Sequence, residues 1–277
     1  MLTNVLTNES DELRGVMRHL LLPAAAAAVL LALPVAARAS VVYYTASGSG
    51  SDGSLYAMAQ FTIGTGQIDV TITNLLDPKT IVSIGQSVSD ISFTLSNSPG
   101  SVGTSSASGQ FANVAGGSGG AVTLVSSDTI KLSKTNSVTV TEPNRWIDST
   151  IGGGITFPSG NTVTLEAIGH GSPTELILPK DAAGFYPKSN SSINVHSPNV
   201  DGPGTFNIGL SGVTDQTTIT GVKFSFGTGP DTYLTGSVCP SCGEQIPPPP
   251  LPEPASFAVL GVGLLGLAFT RRGRRAA

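Results

Sequence analysis

Cys239-Pro240-Ser241-Cys242 holds the two cysteines of the chain, and a C-x-x-C spacing supports three chemistries. The pair can close a disulfide, supply half of a zinc site, or act as a dithiol redox motif. A redox pair wants a helix N-terminus in an α/β fold, whereas this one follows a strand pattern and precedes a proline run. Zinc would need two further ligands, with His170 and His196 the histidines on offer in the body of the chain. In an oxidising compartment the disulfide is the expected state, a small clip closing the end of a domain. Gly116-Gly117-Ser118-Gly119-Gly120 matches the G-x-S-x-G nucleophile elbow in form. That elbow needs a strand-to-helix turn in an α/β sheet, and here it precedes the strand pattern Ala121–Val125, so it reads as a flexible loop. A glycosidase needs two carboxylates at a fixed separation, and no pair can be picked from the acidic residues by spacing alone. Asp52-Gly53, Asp201-Gly202 and Asp231 read as turn residues ahead of calcium ligands. Trp146 and Tyr186 are the candidates for stacking on a sugar ring, with a core position as the competing reading for Trp146. No catalytic residue, metal or cofactor is expected.

Residues of this kind act only when an element holds them, and the elements here are strands. Ile68, Val70 and Ile72 alternate with Asp69, Thr71 and Thr73, and Ile91, Phe93 and Leu95 alternate with Ser92, Thr94 and Ser96. Phe206, Ile208 and Leu210 repeat the pattern, as do Val222, Phe224 and Phe226. Period two puts one apolar face on a core and one polar face in water, which belongs to antiparallel sheets. Gly64-Thr65-Gly66 separates Tyr56–Ile63 from Gln67–Thr73 as a hairpin loop. Gly227-Thr228-Gly229-Pro230-Asp231 does the same between Thr218–Phe226 and Thr232–Val238. No stretch of the body carries a capped apolar period of 3.6. The expected fold is all-β, an antiparallel β-sandwich of jelly-roll-like type over residues 40–245. Its longer loops are expected between Pro143 and Pro203.

Composition agrees. Of 277 residues, 34 are Gly and 19 Pro, and 12% are charged against about 25% in an average domain. Ser, Thr, Gly, Val and Ile dominate, the residues of short strands and tight turns. From Ser40 to Leu251 seven basic residues face fourteen acidic ones. Nucleic-acid binding needs a basic patch, so no nucleic-acid partner is expected.

The positive charge sits at the two ends. Met17-Arg18-His19 precedes an apolar run through Leu33, and Ala37-Arg38-Ala39 supplies an A-x-A pattern, the three parts of a secretory signal. Residues 1–39 are therefore a signal region, with cleavage before Ser40 and Met17 the expected initiator. At the other end, 246–251 is a proline-rich linker that favours an extended polyproline II rod. Behind it come Pro252-Glu253-Pro254, an uncharged stretch over 257–269, and Arg271, Arg272, Arg274 and Arg275. That stretch spans about 20 Å as a helix, against a hydrocarbon core of roughly 30 Å, a marginal single transmembrane helix. The arginines behind it act as a stop and leave the body outside.

This order of proline motif, short apolar helix and arginine cluster over 252–277 resembles the PEP-CTERM sorting signal. Proteins of that family are exported substrates of exosortase, a membrane cysteine protease of Gram-negative bacteria that make exopolysaccharide. The resemblance implies that Pro252, Glu253 and Pro254 are the recognition element and that the tail is removed during sorting. Leu251 stands where the family often has Val. The implied partners are exosortase and the export machinery, a transient stay in the inner membrane, and exopolysaccharide. For the body three readings follow: a non-enzymatic surface or matrix protein, a carbohydrate-binding module, or a secreted hydrolase.

Overall fold

The computed structural model describes residues 40–116, 119–169, 171–181, 183–229 and 232–245. The expected signal region 1–39, the expected linker 246–251 and the expected sorting segment 252–277, with its expected helix over 257–269, lie outside the described residues. Among the described residues no helix is long and apolar enough to cross a membrane.

The described chain is mostly β, in antiparallel sheets. β1 (Ser40–Gly50), β2 (Gly53–Gly64) and β3 (Gln67–Asn74) form a meander in a first sheet. β4 (Val88–Leu95) lies in a second sheet, β5 (Val102–Ser108) returns to the first, and β6 (Phe111–Val114) and β7 (Val122–Val125) go back to the second. β8 (Asp128–Lys131) and β9 (Ser137–Val140) make a separate hairpin. β10 (Gly154–Thr156), β11 (Thr162–Glu166), β12 (Ile177–Leu178) and β13 (Asn199–Asp201) all join the second sheet. β14 (Gly204–Leu210) lies in the first sheet, β15 (Ile219–Phe226) and β16 (Thr232–Thr235) in the second, and β17 (Ser237–Val238) in the first. The first sheet runs β17-β1-β2-β3-β14-β5. In the second, β4 is central, with β15 and then β16 on one edge and β11, β10 and β12 on the other. One pairing is parallel, β12 on β13 through Ile177 and Val200.

The alternation read from the sequence is the alternation of the fold. Ile68, Val70 and Ile72 on β3, Phe206, Ile208 and Leu210 on β14, and Ile91, Phe93 and Leu95 on β4 are all buried. Their polar neighbours are not, because a pleated strand sends successive side chains to opposite faces. The two sheets share one hydrophobic core. Phe61 of β2 meets Phe93 of β4 edge-on with ring centroids 5.0 Å apart. Tyr44 of β1 crosses the same space to donate to the Ile219 carbonyl at 2.8 Å.

Two turns pin the register. Gly64 pairs with Gln67, and Gly66 takes φ +80°, a value that glycine adopts without steric penalty. Phe226 pairs with Thr232 across the second hairpin. The stretch Thr232–Val238, expected as one strand, is two. At Gly236 the amide donates to the Val222 carbonyl at 2.8 Å, and beyond it Ser237 and Val238 pair with Thr45 and Tyr44 of the other sheet. A side chain at 236 would press on Phe224 and Val222, so glycine lets the chain change sheets there.

Candidate functional site

The face of the second sheet turned away from the core carries polar rows five strands wide, one of them buried at Gly154, Asp90 and Ser225. Its register sets one row as Gly154, Glu166, Asp90, Ser225 and Tyr233, from β10 to β16. The next row is Thr156, Thr164, Ser92, Lys223 and Thr235. These residues point outward because Leu165, Ile91 and Phe224 between them point into the core. Hydroxyls link the strands: Thr164 donates to Ser92 at 3.1 Å, and the Thr94 and Thr162 hydroxyls are 3.3 Å apart.

The first row carries unlike electrostatic environments side by side. Glu166 and Asp90 are directly opposite on neighbouring strands, a geometry that brings their Cβ atoms to about 5 Å. Asp90 is buried. That burial, reinforced by the Glu166 charge and opposed by Ser225 and Lys223, pushes its carboxyl up to about 7. Burial also raises Glu166, which is only half-buried. Ser225 is fully buried beside Asp90, and its Oγ completes no hydrogen bond of sound geometry. At the end of the row Tyr233 is exposed, with the Lys223 ammonium 5.4 Å from its ring centroid.

The residues nominated for sugar stacking are elsewhere and are corrected here. Trp146 and Tyr186 are both 0% exposed, so neither offers a ring face to a ligand. Trp146 packs on Phe206 with ring centroids 5.1 Å apart, and its Nε1 donates to the Glu175 carbonyl at 2.8 Å. Tyr186 sits in a second, smaller core with Ile81, Leu176 and Ile193, donating to the Pro179 carbonyl at 2.8 Å. The bulk that suggested stacking is what fills these cores.

Around Trp146 lies a buried polar cluster that the sequence did not announce. The Arg145 amide donates to Glu175 Oε2 at 2.8 Å, and its guanidinium donates to the Ala167 and Ser172 carbonyls. Glu175 adopts φ +65°, which turns its carbonyl to Trp146 and its carboxylate to the Arg145 amide. Burial pushes that carboxyl up to about 8, with Asp128 adding to the rise and Arg145 opposing it. Thr174 donates to Asp128 at 2.6 Å. This arrangement is structural: Arg145, Trp146, Glu175 and Asp128 are all buried, and only its edge at Ser172 and Thr174 reaches solvent.

Cys239 and Cys242 are joined as a disulfide. The Cys239 amide donates to the Tyr43 carbonyl at 2.8 Å, which fastens the end of β17 to β1. His196 Nδ1 lies 2.8 Å from the Pro173 carbonyl, away from the cysteines in the chain and bound locally. Asp52 accepts from Ser83 at 2.6 Å, and Asp201 holds Lys180 at 2.7 Å. Among the described residues no group of three or more His, Cys, Asp or Glu is arranged to hold a metal ion. Ser118, His170, Asp231, the residues expected to direct sorting (Pro252, Glu253 and Pro254), and Arg271, Arg272, Arg274 and Arg275 lie outside the described residues.

The sequence singled out none of Asp90, Glu166, Lys223 and Tyr233. What unites them is the pairing of β15, β4 and β11, and no local pattern encodes that pairing. Comparison with models of protein families, with curated proteins and with solved structures gives no match.

Proposed function

We propose that this chain is an exported surface or extracellular-matrix protein of a Gram-negative bacterium, non-enzymatic, and sorted through Pro252-Glu253-Pro254. The observation that carries the reading is the order of that motif, the apolar stretch 257–269 and the four arginines, downstream of a proline linker. In this reading exosortase recognises the proline motif while 257–269 holds the chain in the inner membrane. The arginines stay on the cytoplasmic side, because each resists translocation. The body then goes to the cell surface or the medium, in contact with exopolysaccharide.

The edges of the body support this reading. β1 is described from Ser40, and cleavage after Ala37-Arg38-Ala39 would leave this strand in the mature chain. At the other edge the disulfide and a 3-10 turn over Pro240–Gln245 close the sheet just before the prolines. A proline run cannot add to a sheet ladder, which suits a spacer between the body and the sorting motif. For the body we favour a β-sandwich of jelly-roll-like type. From β3 onward the chain passes repeatedly between the two sheets, as such folds do.

The test is the intact mass of the protein recovered from its host, with the fraction recorded. A mass that begins at Ser40 and ends near Pro252–Pro254 is the expected result. A mass retaining 257–277, found in the membrane fraction, would mean a permanent anchor and would sink the sorting reading. A second reading, carbohydrate binding by the body, loses the two residues nominated for it, since Trp146 and Tyr186 are both buried.

A further inference from the structure

Like charges set directly across a strand pair oppose each other, yet the register of β4 with β11 places Asp90 opposite Glu166. The other two pairs on that face of the same strands are neutral. Thr164 donates to Ser92, and the Thr94 and Thr162 hydroxyls meet. The surroundings of the two carboxyls do little to offset their charge. On the β10 side stand Gly153 and Gly154, the latter paired with Glu166. On the β15 side stands Ser225, opposite Asp90 and fully buried. Asp148, on the turn packed against Gly154, is bound to Thr150. Lys223 stands one row along, opposite Ser92, with its ammonium 5.4 Å from the Tyr233 ring centroid. Among the described residues neither carboxyl takes part in an ion pair.

Two carboxyls confined in this way favour one proton held between them. The proton lets one carboxyl donate to the other, which gives β4 and β11 a third side-chain bond in line with their hydroxyl bonds. Asp90 is 5% exposed, so water does not solvate a second charge there. Burial first and the Glu166 charge second push Asp90 up to about 7, against Ser225 and Lys223, and burial raises Glu166. Groups this close titrate as a pair. Loss of the proton leaves two charges face to face, and the less firmly held strand gives way. β4 is also paired with β15 at seven positions. Beyond β11, among the described residues, lies β10, three residues long.

We propose that Asp90 and Glu166 form a proton-operated latch that holds the β10–β11 hairpin on β4. With a proton shared between the carboxyls the latch is closed. With both ionised the hairpin opens from its Glu166 end. There the Ala167 amide donates to the Ser89 carbonyl, and the Ala167 carbonyl accepts from Arg145. The latch belongs to the body and is independent of the sorting signal, so either proposal can fail alone.

Hydrogen exchange of the full chain at pH 5 and pH 9, expressed as protection factors, tests the latch, because local opening is read there strand by strand. Protection of β10 and β11 should fall about tenfold or more at the higher pH, a tenfold change matching one pH unit of differential proton binding. At pH 9 both strands should exchange faster than β2 and β3. Asp90→Asn should bring the loss in β10 and β11 below about threefold. Glu166→Gln, a half-exposed change that sets an amide donor opposite Asp90, should reduce it as well. Protection of β10 and β11 that does not change with pH overturns the proposal. So does a hairpin that exchanges at pH 9 no faster than β2 and β3, since it would then open only with the whole protein. Full loss retained in both variants overturns it too.

Discussion

Asp90 shows how one side chain ties stability to pH. Its carboxyl titrates near 3.8 in the unfolded chain and about 7 in the folded one. Between those values the folded state holds a proton that the unfolded state has released, so stability falls as pH rises. The burden is absent below about pH 4 and complete above about pH 7. Three pH units correspond to about 4 kcal/mol, an upper figure because the site can relax around the charge. Glu175 has the same sign over 4.5 to about 8, so the whole protein should lose stability through the neutral range. Asp90→Asn removes one of the two titrations and leaves the other in place. Urea midpoints at pH 5, 7 and 9 should therefore show the variant gaining on the parent protein as pH rises. A difference that stays constant across the three would mean that Asp90 is not held protonated by the fold.

At the scale of elements, the strands with strict alternation were legible and the exchanges between sheets were not. Ile68, Val70 and Ile72 announce β3 because every second residue must be apolar when one face is buried. Nothing comparable marks Gly236, where one apparent strand breaks and Ser237-Val238 joins the opposite sheet. β12 and β13 escaped notice for a related reason, being only two and three residues long in a region rich in loops. The Asp90–Glu166 pair was equally hidden, since the two meet only through the register of β4 with β11. β17 is also the element whose hold is easiest to test. It has two pairs with β1, and the disulfide behind it closes a loop so small that chain entropy yields only about 2 kcal/mol. Replacing both cysteines by serine should cost that much or less. Hydrogen exchange should speed up at Val238 and Cys239, while β2 and β3 keep their protection. If β2 and β3 were deprotected as well, the clip would be supporting the whole first sheet.

For the whole molecule the question is whether two sheets make one cooperative unit. The single core cluster draws on both, and Phe61 and Phe93 meet at its centre. The buried Arg145–Trp146 turn adds to this by packing Trp146 on Phe206 of the first sheet while Arg145 donates to Ala167, next to β11 of the second. A core shared in this way cannot expose one sheet without stripping the other of its apolar cover. Phe61→Ala should therefore destabilise the protein by about 3–5 kcal/mol, a large share of the roughly 5–15 kcal/mol that domains possess. It should do so without splitting the transition. Thermal melts followed by tyrosine and tryptophan signals and by far-ultraviolet dichroism should coincide in both proteins. Trp146 packs on Phe206 and Tyr44 on Phe61 within the same core, so a tryptophan signal lost before the strand signal would mean two weakly coupled layers. In that case the outer face of the second sheet would have to keep its register without support from the first. The row from Glu166 to Tyr233 depends on that register across β11, β4, β15 and β16. Coincident melts would mean that the core which closes the fold also holds that face rigid.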